Sequence, residues 1–142
     1  MADNSDREMR LSLVTLVVRI TLGMIFLFYG LGKFMMGYSN YAGWMSNLFK
    51  DTWLPGFALL PFTYALPFIE VGLGALLLAG ILSRWTFVAT GLLLAALIFG
   101  QVILQKPEVV AQNLVFTILI TIGIWASEHD RFSLDHFRKK AG

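Results

Sequence analysis

The chain predicts an all-α fold, an integral membrane bundle of four transmembrane helices with an aromatic-rich interfacial loop between the first two. Three observations carry that expectation. The composition is 57% hydrophobic and only 14% charged over 142 residues, with a mean hydropathy of +0.70, far too apolar for an ordinary soluble domain. Four apolar runs, about 11–33, 62–82, 85–104 and 109–126, are each long enough to cross hydrocarbon. Within each run the polar and small residues recur at helical spacing, so that each helix offers one stripe to its neighbours.

The first run, LSLVTLVVRITLGMIFLFYGLGK, follows a charged head, MADNSDREMR, that is expected to fray. A secretory signal is not expected: the apolar run is too long, contains Arg19 and lacks a small-x-small cleavage site. Ser12, Thr15, Arg19, Gly23, Phe26, Gly30 and Lys33 alternate by threes and fours along one face. Gly23 and Gly30 admit a close neighbouring helix, and an arginine at membrane depth must face protein, water or a counter-charge. The stripe therefore points inward.

Between the first two spans, residues 34–61 carry Tyr38, Tyr41, Trp44, Phe49 and Trp53 with Lys50 and Asp51, the mixed signature of a membrane interface. A short amphipathic helix is expected over Tyr41 to Phe49, stopped by Pro55-Gly56. The second span places Thr63, Pro67, Glu70, Gly74 and Leu77 on one face. A tight Ser83-Arg84 link leads to the third, with Thr86, Thr90, Leu94, Leu97 and Gln101 aligned. After a QKPE loop the fourth aligns Asn113, Thr117, Thr121 and Ile124. Asn113 and Gln101 read as interhelical hydrogen-bonding groups, or for Asn113 a span cap, and Gly74 as a packing position. Four stripes meeting would give the bundle a weakly polar interior.

Charge sets the orientation. Both termini share a side with Arg7, Arg10, Arg84, Arg131, Arg138, Lys139 and Lys140, against Lys33, Lys50 and Lys106 opposite. The excess assigns the termini, including the tail 127–142, to the cytoplasm, so that in a bacterium the aromatic 34–61 loop would face the periplasm or the cell exterior. Nucleic acid is not expected as a partner. The absence of cysteine removes thiol relays, disulfides and iron–sulfur ligation, and no flavin motif or haem-ligating histidine pair is present. Electrons for any redox reaction would come from a soluble or membrane oxidoreductase partner. His129 and His136 lie in a polar tail that reads as a solvated face rather than a metal site.

Arg19 and Glu70 each lie about 12 Å from opposite membrane edges, an axial offset of about 6 Å, so they come within reach of one another. Side chains lean toward their own helix N-terminus, which sends Arg19 toward the terminal side and Glu70 outward, while Lys33 leans inward and competes for Glu70. Arg19, Glu70, Lys33 and the flanking Tyr29 could line a quinone site, supplying donors to ring carbonyls and a proton route. A scaffold or assembly role, in which the charges only fix packing, stands beside that reading. Translocation is disfavoured because no inverted repeat or broken helix is evident, and homo-oligomerisation is left open.

The pattern RIxLGxxFxxxGxxK from Arg19 to Lys33, FIEVGLGxLLLxG from Phe68 to Gly80 with Arg84, the Asn113-Leu114 pair and Phe132-Ser133-Leu134-Asp135 resemble the DoxX family over residues 15–136. The resemblance implies a small four-helix inner-membrane protein, in a family that includes the membrane subunit of thiosulfate:quinone oxidoreductase, and hence a quinone- or redox-linked role. One departure is the tail turn: Ser127-Glu128-His129-Asp130-Arg131 stands where the family usually reads Gly-Pro-Gly-Arg. The orientation predicts that a fluorescent protein able to mature only in the cytoplasm will be bright when fused after residue 142. A dark fusion at full expression would reverse it.

Overall fold

The computed structural model describes the backbone of residues 2–141 and the side chains of residues 3–137; the side chains of Arg138, Lys139 and Lys140, used above for orientation, lie outside the described residues. The described chain is helical with short connections: α1 (Ala2–Met35), α2 (Tyr38–Phe49), α3 (Gly56–Ala79), α4 (Ser83–Ile103), α5 (Pro107–Ala126), a single 3₁₀ turn (Ser127–His129) and α6 (Leu134–Ala141). Four of these helices are long and apolar enough to span a membrane.

Several boundaries differ from the sequence reading; α2 starts at Tyr38 rather than Tyr41, and Ser83-Arg84, expected as a link, opens α4. The charged head does not fray but continues α1 back to Ala2, because its hydrophilic residues sit beyond the apolar segment and nothing in them breaks a helix. The second span begins at Gly56, upstream of Pro61 and Pro67, both of which lie inside α3. Proline costs a helix one hydrogen bond each time, and packing on α1 holds α3 helical through both.

α1 packs most extensively on α3, α4 on α5, and the ring closes through α1–α5 and α3–α4 contacts. The α1–α3 seam is set by glycine. A Cβ on Gly74 would lie 2.5 Å from the Leu27 nitrogen and 2.8 Å from the Gly23 carbonyl oxygen, and one on Gly30 would lie 2.9 Å from the Pro67 carbonyl oxygen. Backbones therefore touch at Gly23, Gly30 and Gly74, as their positions on the two stripes required. The α1, α3 and α4 stripes all turn inward: Ser12, Thr15, Arg19, Thr63, Glu70, Thr86 and Thr90 are buried.

The α5 stripe does so only at its ends, where Asn113 lines the interior cavity and Ile124 packs on the core. Thr117 and Thr121 are exposed, and α5 buries Ile120, Gly123 and Ala126 instead. Their hydroxyls donate to the Asn113 and Thr117 carbonyls at 3.1 and 2.9 Å, so each satisfies itself on its own helix and can face lipid at no polar cost. The interior is accordingly less polar than expected, built around Leu22, Leu66, Leu77, Phe87 and Leu94.

α2 covers the end of the bundle opposite the termini. Its start is fixed to α3 by aromatic contacts, Tyr38 with Tyr64 at 5.3 Å and with Phe68 at 5.9 Å, and by a hydrogen bond from the Tyr38 hydroxyl to the Tyr64 carbonyl. Its last residue, Phe49, lies against Gly100 of α4. The segment thus bridges α3 and α4 as an interfacial lid. Gly74→Ala should lower stability in detergent by about 1–3 kcal/mol through overpacking, whereas Gly32→Ala, whose Cβ meets nothing within 4 Å, should not. Thermal unfolding distinguishes the two; equal midpoints would deny the close seam.

Candidate functional site

Two charged centres lie fourteen positions apart on α1, about 21 Å along the axis. The first is at the end that carries the termini. Arg19 is 2% exposed and its Nη1 donates to Asp130 Oδ2 at 2.6 Å, while Nη2 donates to the Phe132 carbonyl at 3.0 Å. Ser83 Oγ donates to the same carboxylate oxygen at 3.0 Å, and the Phe132 N–H donates to Asp130 Oδ1 at 3.2 Å. The guanidinium fits because Gly80, the left-handed cap of α3 (φ 68°), has no side chain in its way.

Around this pair the tail folds back on the bundle. Ser12 Oγ donates to the His129 carbonyl, Arg131 is paired with Glu8, and the Asp135 N–H donates to the Gly80 carbonyl at 3.4 Å. Asp130 and Ser133 are buried. The reading of the tail as a solvated face is therefore corrected, because a buried arginine draws the nearest available carboxylate out of water. Sequence reasoning missed Asp130, although the lean of Arg19 toward the terminal side pointed to a partner there.

The second centre lies in the other half of the bundle. Lys33 Nζ is 2.5 Å from Glu70 Oε2 and 5.8 Å from the centroid of the Tyr41 ring, so the ammonium lies between a carboxylate and an aromatic ring. Glu70 is 3% exposed. Of the two partners open to it in the sequence, Glu70 takes Lys33 and not Arg19, which resolves that alternative in favour of the side-chain lean.

Lys33, Glu70 and Tyr41 line a cavity of about 420 Å³, within the range of small-molecule sites, about 300–1,000 Å³. All of α1 to α5 contribute to it. Its walls are mostly apolar, with Phe26, Leu59, Leu66 and Leu94 among them, and α2 forms one side. Tyr29 lines it at the lipid-exposed edge of α1, and Gln101 and Asn113 line it from α4 and α5. Burial and the neighbouring Glu70 carboxylate raise the Tyr41 hydroxyl above the usual phenol range, so it remains a donor throughout the physiological range.

The structure thus groups Glu70, Lys33, Tyr29 and Asn113 around one cavity, leaves Gly23, Gly30 and Gly74 on the α1–α3 seam, and sets Arg19 apart in the tail clamp. Tyr41 and Gln101 were not singled out as site residues from sequence; their signal was masked by the general enrichment of aromatics at interfaces and of amides as packing groups. Removing one partner of a buried pair leaves an uncompensated charge, worth about 3–5 kcal/mol. Asp130→Leu should therefore destabilise the protein strongly and expose the tail to protease, and Arg19→Met with Asp130→Leu should recover most of the stability. A single variant as stable and as protease-resistant as wild type would contradict the clamp.

Comparison with known proteins adds a family. A family model described as methylamine utilisation protein MauE matches residues 11–108. This overturns the DoxX resemblance: short glycine, arginine and glutamate patterns on apolar spans are shared cheaply between membrane families, and the match falls elsewhere. Neither a curated protein nor a solved structure matches the chain.

Proposed function

Because the chain belongs to the MauE family of methylamine utilisation proteins, we propose that it is an accessory membrane subunit whose cavity holds an amphipathic small molecule of the quinone class for a partner oxidoreductase. The cavity with a charged pair on its wall carries this reading. Its apolar walls suit a ring and part of a chain, its exposed edge at Tyr29 lies toward lipid, and the Tyr41 hydroxyl and Lys33 ammonium are donors for a carbonyl oxygen. Glu70 is positioned to exchange a proton with that end of the ligand through Lys33 or Tyr41.

Oxidative use of methylamine releases electron pairs, and a quinone accepts two electrons with two protons, so the family description and the cavity chemistry fit one process. The chain supplies binding and proton handling, with electrons coming from the partner. The charge distribution supports cytoplasmic termini, although Lys33 belongs to the cavity and leaves Lys50 and Lys106 as the opposing loop cations. Under this orientation the cavity lies in the outer half of the bilayer. The assembly reading rests on a separate observation, the Arg19 clamp, which holds the tail in place whether or not a ligand binds.

Purified protein should bind a fully substituted 1,4-benzoquinone bearing a decyl chain saturably. The double variant Lys33→Met with Glu70→Leu, which removes both charges together so that neither is left buried alone, should weaken binding about tenfold, or roughly 1.4 kcal/mol, with its thermal midpoint checking that it is folded. No saturable binding by folded wild-type protein, together with a stably co-purifying partner, would replace the ligand reading with the assembly one.

A further inference from the structure

The cavity has polar groups on two sides, and they differ in kind. On the α1–α3 side Lys33 and Glu70 are already paired. On the α4–α5 side Gln101 and Asn113 line the same cavity, Gln101 also bordering a smaller pocket beside the α4–α5 connection, and among the described residues neither side-chain amide is seen in a hydrogen bond. Both are partly buried. Asn113 lies six residues into α5, about 9 Å from its start, where an amide left without a partner once the cavity is desolvated would cost about 1–3 kcal/mol. Threonines elsewhere in the spans avoid that cost: Thr15, Thr63, Thr90 and Thr121 all donate to carbonyls four residues back. The two amides have no such bond to their own helices, so each is left free to meet a polar group placed in the cavity.

We infer that Gln101 and Asn113 form a second, uncharged recognition pole that selects ligands with a carbonyl at each end of the ring. This rests on the cavity reading above and deepens it to a substrate class. The charged wall with Tyr41 binds one carbonyl, and the amides donate to the other across the ring. A ligand with one carbonyl leaves the amides unsatisfied in a desolvated site, which is the arrangement that discriminates best against the analogue lacking the group. Neither amide is a charge carrier, so the pole contributes specificity without adding a second ion to hydrocarbon. Gln101 and Asn113 are thus specificity-determining residues, and proton exchange stays on the Glu70 side.

The test compares two ligands on one protein: the fully substituted decyl-1,4-benzoquinone and a cyclohexenone carrying the same chain and one carbonyl. Wild type should prefer the dione by at least about fivefold, the scale of one net hydrogen bond. In Gln101→Met with Asn113→Leu, both substitutions being more compatible with a membrane interior, the preference should collapse toward unity because dione binding falls while monoketone binding holds. Thermal midpoints check that the variant is folded, and Asn113→Ser, which keeps a donor, should retain part of the preference. An unchanged preference in the folded double variant overturns the amide pole and leaves the cavity reading intact. Absence of binding of either ligand to wild type overturns both.

Discussion

A charge placed in hydrocarbon must find a partner, and that constraint arranges this molecule. α1 carries two cations on one face, and each captures a carboxylate from a distant part of the chain. Arg19 takes Asp130 from beyond the last span, which folds the tail across the terminal end. Lys33 takes Glu70 from α3, beneath the interfacial helix. Between them the glycine seam brings α1 and α3 into backbone contact, so the two pairs hold the register that the glycines permit. Such pairs add little net stability compared with apolar replacements, but breaking one alone is expensive. Their effect is to make one arrangement of the helices far better than its neighbours.

Much of this was legible in the residues. The all-helical bundle, its four spans and the inward faces of α1, α3 and α4 follow from apolar length and helical periodicity, signals that tertiary packing rarely overrides in lipid. The lean of side chains toward the helix N-terminus correctly separated Arg19 from Glu70 and favoured Lys33. The fourth stripe failed in its middle because threonine is ambiguous in a membrane: Thr117 and Thr121 bond their own helix and face outward, while Asn113 and Ile124 at its ends face inward. Asp130 was missed because a tail acid next to histidine and arginine looks solvated until its depth relative to Arg19 is known. The family was misread for a related reason, since sparse polar positions on apolar spans identify a fold more readily than a lineage.

The two centres suggest a division of labour along one helix. The Arg19 end is closed: the Asp130 carboxylate and both terminal guanidinium nitrogens are bonded within the chain, and the buried Nε alone has no partner among the described residues. The Lys33 end is open, with an ion pair, a phenol and two amides around a cavity edged by lipid-exposed Tyr29. Rigid closure at one end and accessible polarity at the other suit a subunit that positions a small molecule for a partner.

Photolabelling in lipid nanodiscs tests this most directly. A quinone whose ring carries a photoreactive group is irradiated with the protein, and the modified residues are mapped by mass spectrometry with and without excess unlabelled quinone. The account predicts competable labels on α2 between Tyr41 and Phe49 and on the facing stretches near Lys33, Gln101 and Asn113. Labels spread over lipid-facing positions such as Leu92 and Ile118, unaffected by competitor, would contradict it.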